Sequence, residues 1–194
     1  MPSLPFLYVL WYNFLMRVHV MDNFAIGQTH LGKSIFAARL FKVGDVIAQF
    51  TGPLMRRSEL PKRYTGRNDR YIQVGIDEYL GPSGEVDDLI NHSCDPNAGL
   101  KFTKAGILLV AIKKIKIGDE ITWDYSTTLF ENPWKMRCDC RKPNCRKIIK
   151  DFALLDKKIQ DRYRKLDVIP PYIKEYMDSE EYRVYTKGVG KRKK

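Results

Sequence analysis

The chain has 194 residues, of which 34 are Lys or Arg and 23 are Asp or Glu, and its net charge is +11. A chain of this length suits one hydrophobic core, so we expect one compact domain with appendages. The charge is uneven, because residues 1–134 hold 15 basic against 14 acidic side chains and residues 135–194 hold 19 against 9.

An uncharged apolar run occupies residues 4–16. This run is too short to span a bilayer as a helix. A secretory signal is disfavoured as well, because Arg17 follows the run instead of preceding it and no small-residue cleavage site is present. Residues 1–21 are therefore interpreted as an apolar appendage that packs on the domain. A translation start at Met21 and an export signal are the two alternatives.

Short β-like runs separated by Gly, Pro and Asp turns extend from Asn23 to Tyr125. Runs of this kind predict a β-dominated, loop-rich domain. The charged residues 56–70 are expected to lie outside the β core, with a short helix around residues 58–60. The clearest strand candidates are residues 46–50, 71–76, 106–112 and 120–123.

The apolar period changes after Cys145 to steps of three and four, which predicts an amphipathic helix over residues 148–166. The pair Pro170–Pro171 ends this helix, and a second short helix is expected over about residues 171–177. The basic run 191–194 is interpreted as a flexible tail that attracts phosphate backbones or acidic protein faces. A tail that only keeps the protein soluble is the alternative.

The four cysteines have a spacing typical of a zinc site. Cys138, Cys140 and Cys145 form a C-x-C-x4-C run, and Cys94 is the one thiol left to act as a fourth ligand. A structural zinc ion takes four such ligands in a tetrahedron. Two disulfides or a set of free thiols are the alternatives, although Cys138 and Cys140 are too near in sequence to pair comfortably.

Residues 91–97 (NHSCDPN) and 118–125 (GDEITWDY) carry the strongest signal in the chain. With the cysteine run, they resemble the two signature motifs and the post-SET zinc clip of SET-domain protein lysine methyltransferases. The resemblance implies a mainly β (α+β) SET fold of small sheets with a knot-like core, a zinc clip and a helical C-terminal extension. The implied boundaries are 1–21 for the appendage, 22–130 for the SET domain, 131–150 for the post-SET segment and 151–194 for the helical extension and basic tail.

The resemblance implies S-adenosyl-L-methionine as methyl donor and a structural Zn²⁺, because the family's clip folds over the cofactor. Residues 32–37 resemble the family's first motif, with Ser34 in place of its usual second glycine. Asp88 stands where relatives often place an arginine, so any substrate or cofactor contact that this arginine makes in relatives is in doubt for this chain. The implied cofactor-binding residues are Gly32, Lys33, Ser34, Tyr71, Asn91 and His92.

Tyr125 is the implied catalytic residue, with its hydroxyl at the reacting centre. Methyl transfer to lysine needs a neutral amine, in-line alignment and a dry channel. The channel is expected to be lined by Tyr71, Trp123 and Phe130, whose aromatic faces attract a sulfonium or a methylated ammonium. Trp123 has no hydroxyl to hold a water beside the amine, so multiple methylation is hypothesised. For Phe130 and for Trp134 a plain packing role is the alternative.

The sequence is therefore interpreted as an S-adenosylmethionine-dependent protein-lysine N-methyltransferase acting on histones or other basic proteins. Nucleic acid contact through the basic tail is expected, without a membrane partner. The expected compartment is cytoplasmic or nuclear, and delivery into a host cell is left open. A non-catalytic SET module that binds protein or nucleic acid through its tail is the first alternative. A small zinc-binding nucleic-acid protein is the second, and it leaves the first 130 residues unexplained.

Overall fold

The computed structural model describes residues 19–20, 23–61, 69–130 and 135–180. Most of the predicted N-terminal appendage lies outside these residues. Trp134 and the basic tail at 191–194 lie outside them as well.

Short strands arranged in small sheets dominate the described part of the chain, so the predicted mainly β fold class is confirmed. The sheet orders are β1-β2-β3, β4-β10-β9, β5-β7-β6, β8-β11 and β12-β13. The strands are β1 (His19–Val20), β2 (Phe24–Thr29), β3 (Gly32–Ala37), β4 (Val46–Phe50), β5 (Leu54–Arg56), β6 (Ile72–Gln73), β7 (Glu78–Leu80), β8 (Asn91–His92), β9 (Ala98–Thr103), β10 (Gly106–Ala111), β11 (Thr122–Trp123), β12 (Met136–Arg137) and β13 (Ile148–Ile149).

Two α-helices follow the cysteine run, α1 (Lys157–Lys165) and α2 (Pro171–Met177). The second helix agrees with the prediction, but the helix expected over residues 148–166 is wrong in its first half. Residues 148–149 are strand β13, paired with β12, and a 3-10 turn follows at Phe152–Leu154. Ile149 and Phe152 are fully buried, so apolar side chains still face inward here without a helical backbone. Neither α-helix is long and apolar enough to cross a membrane, nor is any other helix in the described residues.

The core is divided into two main clusters. The first lies between the SET-motif strands and includes Ile35, Phe41, Leu100, Leu109, Ile115, Ile121 and Trp123. The second lies where the C-terminal helices pack on the sheet and includes Val110, Ile112, Phe130, Phe152, Tyr163, Val168 and Ile173. Burial of each large apolar side chain contributes about 1.5–3 kcal/mol, so the C-terminal helices are firmly attached to the β domain.

A short parallel pair brings two distant segments together at the centre of the fold. Strand β8 pairs with β11 in the register Thr122 with Asn91 and Trp123 with His92. The side chain of Asn97 holds the approach to β11, because its Nδ2 donates to Glu120 O at 2.8 Å and its Oδ1 accepts from Thr122 N at 3.0 Å. The pairing delivers Tyr125, two residues after β11, to the side of β8.

Candidate active site

The four cysteine sulfurs lie together and fit a zinc ion. All four Sγ atoms are within 4.8 Å of one another, and Cys94 Sγ is 3.6 Å from Cys138 Sγ. Ligands at about 2.3 Å in a tetrahedron are about 3.8 Å apart, so the cluster has the size that a Zn²⁺ site needs. The prediction that Cys94 joins the C-x-C-x4-C run as the fourth ligand agrees with this geometry.

Backbone donors already surround these sulfurs. The amide of Arg146 donates to Cys94 Sγ and the amide of Lys147 donates to Cys145 Sγ, each at 3.4 Å. Burial raises the pKa of the Cys94 thiol to about 11. A thiolate at neutral pH therefore requires a cation beside it, and a divalent metal supplies that charge.

Two cavities meet at Tyr125. The first, the aromatic cavity, is lined by Phe50, Tyr71, Tyr79, Trp123 and Tyr125, among others. The second, the clip groove, lies between the start of β3, strand β8 and the cysteine clip, and it is lined by Gly32, Lys33, Asn91, His92, Tyr125, Cys138 and Cys140, among others. Asp69, Arg70 and Asp88 also line both cavities. Tyr125 therefore lies at the junction between them.

The backbone and hydroxyl of Tyr125 are both held by the segment around β8. Its hydroxyl donates to the carbonyl of Ile90 at 2.8 Å, and its amide donates to His92 Nδ1 at 3.1 Å. Burial, followed by the charges of Asp69 and Glu120, raises the pKa of Tyr125 well above its usual value. The residue is therefore a neutral phenol at physiological pH, suited to positioning and unsuited to acting as a base.

His92 is neutral and links β11 to the cysteine cluster. Because its Nδ1 accepts from the Tyr125 amide, its proton is assigned to Nε2, which lies 3.4 Å from Cys94 Sγ and donates to it. Burial lowers the pKa of His92 to about 4. The 3.4 Å approach of Nδ1 to Asp124 Oδ1 is consequently not an ion pair. These contacts agree with a positioning role and leave no acid–base role at neutral pH.

Ser34, expected to bind the cofactor, points away from the clip groove. Its buried hydroxyl donates to Glu120 Oε1 at 2.7 Å, and Asn91 Nδ2 donates to the same oxygen at 3.1 Å. Ser34 is not among the described residues that line either cavity. Gly32 and Lys33 do line the clip groove, and Gly32 has the left-handed φ of 116° that glycine tolerates best. Sequence reasoning did not single out Glu120, although it lies inside the motif at 118–125.

The unusual Asp88 has a cationic partner from another segment. Its carboxylate accepts from the amides of Ser83 and Gly84, and its Oδ2 lies 3.6 Å from Arg70 Nη1. Arg70 is half exposed, so this ion pair contributes little to stability. An arginine therefore still stands between the cavities, although it comes from residue 70 and not from residue 88.

The three predicted channel residues have different surroundings. Tyr71 and Trp123 line the aromatic cavity, and the indole of Trp123 lies between Phe50 and Tyr125, with centroid distances of 5.9 and 4.9 Å. Phe130 is not among the described residues that line either cavity. Its ring is buried against the ring of Tyr176 in α2, with 4.2 Å between the two ring centroids. For Phe130 the contacts therefore favour the packing role over the channel role.

Asp124, the residue before Tyr125, was not anticipated as a site residue. Its side chain is fully buried and accepts hydrogen bonds from Ser126 N at 3.1 Å, Arg146 Nη2 at 2.7 Å and the Tyr163 hydroxyl at 2.8 Å. The motif placed Asp124 in the right segment, but its partners come from the clip and from helix α1, which the motif does not include.

Residues 32–126 match the SET domain. The chain is 32% identical over 153 residues to the variant-silencing SET domain-containing protein of Plasmodium falciparum (isolate 3D7), and the match covers 69% of this chain and 6% of that protein. It is 31% identical over 144 residues to the histone-lysine N-methyltransferase trr of Drosophila melanogaster, covering 68% and 6%. It is 27% identical over 150 residues to the histone H3-lysine(4) N-trimethyltransferase ATX1 of Arabidopsis thaliana, covering 70% and 14%. The chain thus spans a small fraction of the length of these relatives.

Two solved structures share the fold. The methyltransferase domain of human histone-lysine N-methyltransferase SETMAR superposes with a TM-score of 0.56 at 19% identity, over 66% of this chain and 58% of that one. KRYPTONITE in complex with mCHH DNA, an H3(1-15) peptide and SAH superposes with a TM-score of 0.53 at 17% identity, over 71% and 31%. The predicted SET fold class is confirmed by these matches.

Proposed function

Because residues 32–126 are a SET domain, we propose that the protein is an S-adenosylmethionine-dependent protein-lysine N-methyltransferase. The observation that carries the proposal is the place of Tyr125 at the junction of the aromatic cavity and the clip groove. A transferase of this kind must bring a donor and an amine together from opposite sides of one small opening. Two cavities that meet at one partly buried tyrosine provide that arrangement.

The clip groove fits the donor. Gly32, Asn91 and His92 line it on the SET side, and Cys138 and Cys140 line it on the clip side. The KRYPTONITE complex, which shares the fold, was solved with SAH. When bound, S-adenosylmethionine supplies a methyl group on a sulfonium that the amine attacks. The zinc ion would be held by Cys94, Cys138, Cys140 and Cys145 and would keep the groove's second wall in place.

The aromatic cavity fits a lysine side chain. Tyr71, Tyr79 and Trp123 enclose it with apolar surface, which suits the four methylenes of lysine and removes water from its amine. A free lysine amine has a pKa of about 10.4, and desolvation lowers the pKa of an amine because it disfavours the charged form. The apolar walls therefore favour the neutral nucleophile, whereas the carboxylates of Asp69, Asp87 and Asp88 favour the charged form. The positive sulfonium of a bound donor would act with the apolar walls against the charged form.

Tyr125 orients the reaction without exchanging a proton. Its hydroxyl hydrogen is directed to the Ile90 carbonyl, so the oxygen lone pairs remain to accept from polarised C–H or N–H groups at the junction. The raised pKa keeps this phenol neutral. The proton that the amine must lose before attack leaves through solvent, because His92, with its pKa lowered to about 4 by burial, is a poor base.

A basic, histone-like protein is the proposed substrate. Asp69, Asp87 and Asp88 line the aromatic cavity, whereas Arg70 is the only basic residue among its described lining. An excess of carboxylates over basic groups at this cavity favours Lys- and Arg-rich segments over acidic ones. Several relatives are named histone-lysine methyltransferases, which supports a histone-like substrate and a nuclear location. Nucleic acid contact through the basic tail at 191–194 remains part of the proposal.

The decisive experiment incubates the zinc-loaded full chain with methyl-labelled S-adenosylmethionine and core histones, and identifies the labelled protein and lysine by mass spectrometry. SAH binding is measured in parallel by calorimetry. We expect label on lysine and a fall of about 100-fold in the rate for Tyr125→Phe, because alignment at the junction is lost. Binding of SAH by this variant should stay near the wild-type value. Failure of the zinc-loaded protein to bind SAH would favour the alternative, a non-catalytic binding module.

A further inference from the structure

Helix α1 reaches the residue beside Tyr125 through a single buried hydroxyl. Tyr163, which is 1% exposed, donates to Asp124 Oδ2 at 2.8 Å. The other oxygen of Asp124 accepts from Arg146 Nη2 at 2.7 Å and from Ser126 N at 3.1 Å. The carboxylate is therefore fixed on both oxygens, and one of its three donors lies outside both the SET-matched residues 32–126 and the cysteine clip.

Helix α2 makes the equivalent contact to the other cavity. The single hydroxyl hydrogen of Tyr172 is shared between the carbonyl oxygens of Thr128, at 2.6 Å, and Gln73, at 3.0 Å. Both Thr128 and Gln73 line the aromatic cavity. The two helices thus hold the wall of the proposed lysine channel as well as the strand end that carries Tyr125.

The helices are rigidly tied to the domain. Gln160 Nε2 donates to the carbonyls of Phe152, Ala153 and Leu155 at 3.0–3.2 Å, which fixes α1 on the turn before it. A Cβ built on Gly99 of strand β9 would lie 2.8 Å from Val168 Cγ1, so the connection between the helices packs directly on the sheet. Elements held this firmly can transmit position to the groups they contact.

We propose that Tyr163 of α1 and Tyr172 of α2 are positioning residues for the methyl transfer. The inference rests on the proposed function. Tyr163 sets the Asp124 carboxylate, and Asp124 sets the turn that begins at Tyr125. Tyr172 sets the carbonyls of the channel wall. Neither hydroxyl reaches the junction of the cavities itself, so their effect passes through Asp124 and through the backbone at residues 73 and 128.

The test compares Tyr163→Phe with Ile173→Val in the zinc-loaded full chain. Ile173 is 1% exposed in the same core cluster, and its shortening loosens the packing without removing a polar contact to the site. Initial rates are measured at saturating S-adenosylmethionine and varied concentrations of a histone peptide that carries the methylated lysine. The temperature is well below the melting temperature of both variants. We expect kcat of Tyr163→Phe to fall about 10- to 100-fold with KM for the peptide nearly unchanged, because alignment is lost more than binding. Ile173→Val should keep both constants within about twofold of wild type.

A double-mutant cycle identifies the route of the effect. Tyr163→Phe should have little further effect on kcat in an Asp124→Asn background, because the contact it removes is already altered there. An equal loss in both backgrounds, or a Tyr163→Phe enzyme as fast as Ile173→Val, would overturn the inference.

If Tyr163→Phe does not fold, Tyr172→Phe is compared with Ile173→Val instead. For Tyr172→Phe we expect KM for the peptide to rise about 5- to 10-fold, because the wall of the lysine channel shifts. A wild-type chain without activity on any lysine would instead defeat the proposed function.

Discussion

Loss of one cysteine ligand should dismantle the clip wall and with it donor binding. Apart from the metal, residues 136–149 are held by one pair of two-residue strands, by the fully buried side chain of Ile149 and by the ion pair of Arg146 with Asp124. Burial of one isoleucine contributes about 1.5–3 kcal/mol, whereas a structural zinc ion contributes about 10–16 kcal/mol in small domains. The metal therefore stabilises this segment far more than its apolar packing does.

Cys138→Ser is the perturbation of choice, because Cys138 is buried and lines the clip groove. We expect bound zinc, quantified by atomic emission, to fall from one ion per chain to well below one. Amide exchange at residues 136–149 should accelerate, and SAH affinity should weaken by at least about tenfold. Ile148→Val is the matched control, since it alters an exposed apolar side chain of the same clip that lines neither cavity. A Cys138→Ser protein with a full complement of zinc and unchanged SAH affinity would refute the reasoning.

Two further predictions concern the aromatic cavity. Trp123→Tyr places a hydroxyl that can hold water beside the amine, so mass spectrometry should find the product shifted toward monomethyl-lysine; a wild-type enzyme that already stops at one methyl would contradict this. The plot of kcat/KM against pH should rise from pH 7 to 9 as the lysine, with a pKa of about 10.4 in solution, loses its proton. Because burial raises the pKa of Tyr125, no second inflection should arise from this residue below pH 10, and one that disappears in Tyr125→Phe would contradict its neutral role.

Local motifs predicted much of the site from the sequence. The segments that carry Asn91, His92 and Tyr125 were identified by their resemblance to the two signature motifs, and the pairing of β8 with β11 brings these segments together. The cysteines were predictable because three are close in sequence and the chain has one other thiol. Residue type and spacing were sufficient to suggest a zinc site for the cysteines, whereas the roles of Asn91, His92 and Tyr125 came from the resemblance to the SET motifs.

The remaining features depend on partners that no spacing reveals. Ser34 occupies a position where the family has glycine, and only the structure finds its hydroxyl on Glu120, 86 residues away. Tyr163 falls on the apolar period that predicted the helix, yet its hydroxyl contacts Asp124, 39 residues away in the sequence. The start of α1 was placed too early because Ile148 and Phe152 continue the helical period while their backbone forms a strand and a 3-10 turn.

The contacts of Asp124 explain why the clip and the catalytic strand depend on each other. A fully buried carboxylate is stable as an anion only with a cation and donors around it. That cation is Arg146, whose side chain is 13% exposed and whose amide also donates to Cys94 Sγ. One residue of the clip thus neutralises the carboxylate beside Tyr125 and contacts a metal ligand. With the clip displaced, Asp124 would lose its countercharge and the turn at Tyr125 its support, so the clip acts on the reaction through this ion pair as well as through the wall it provides.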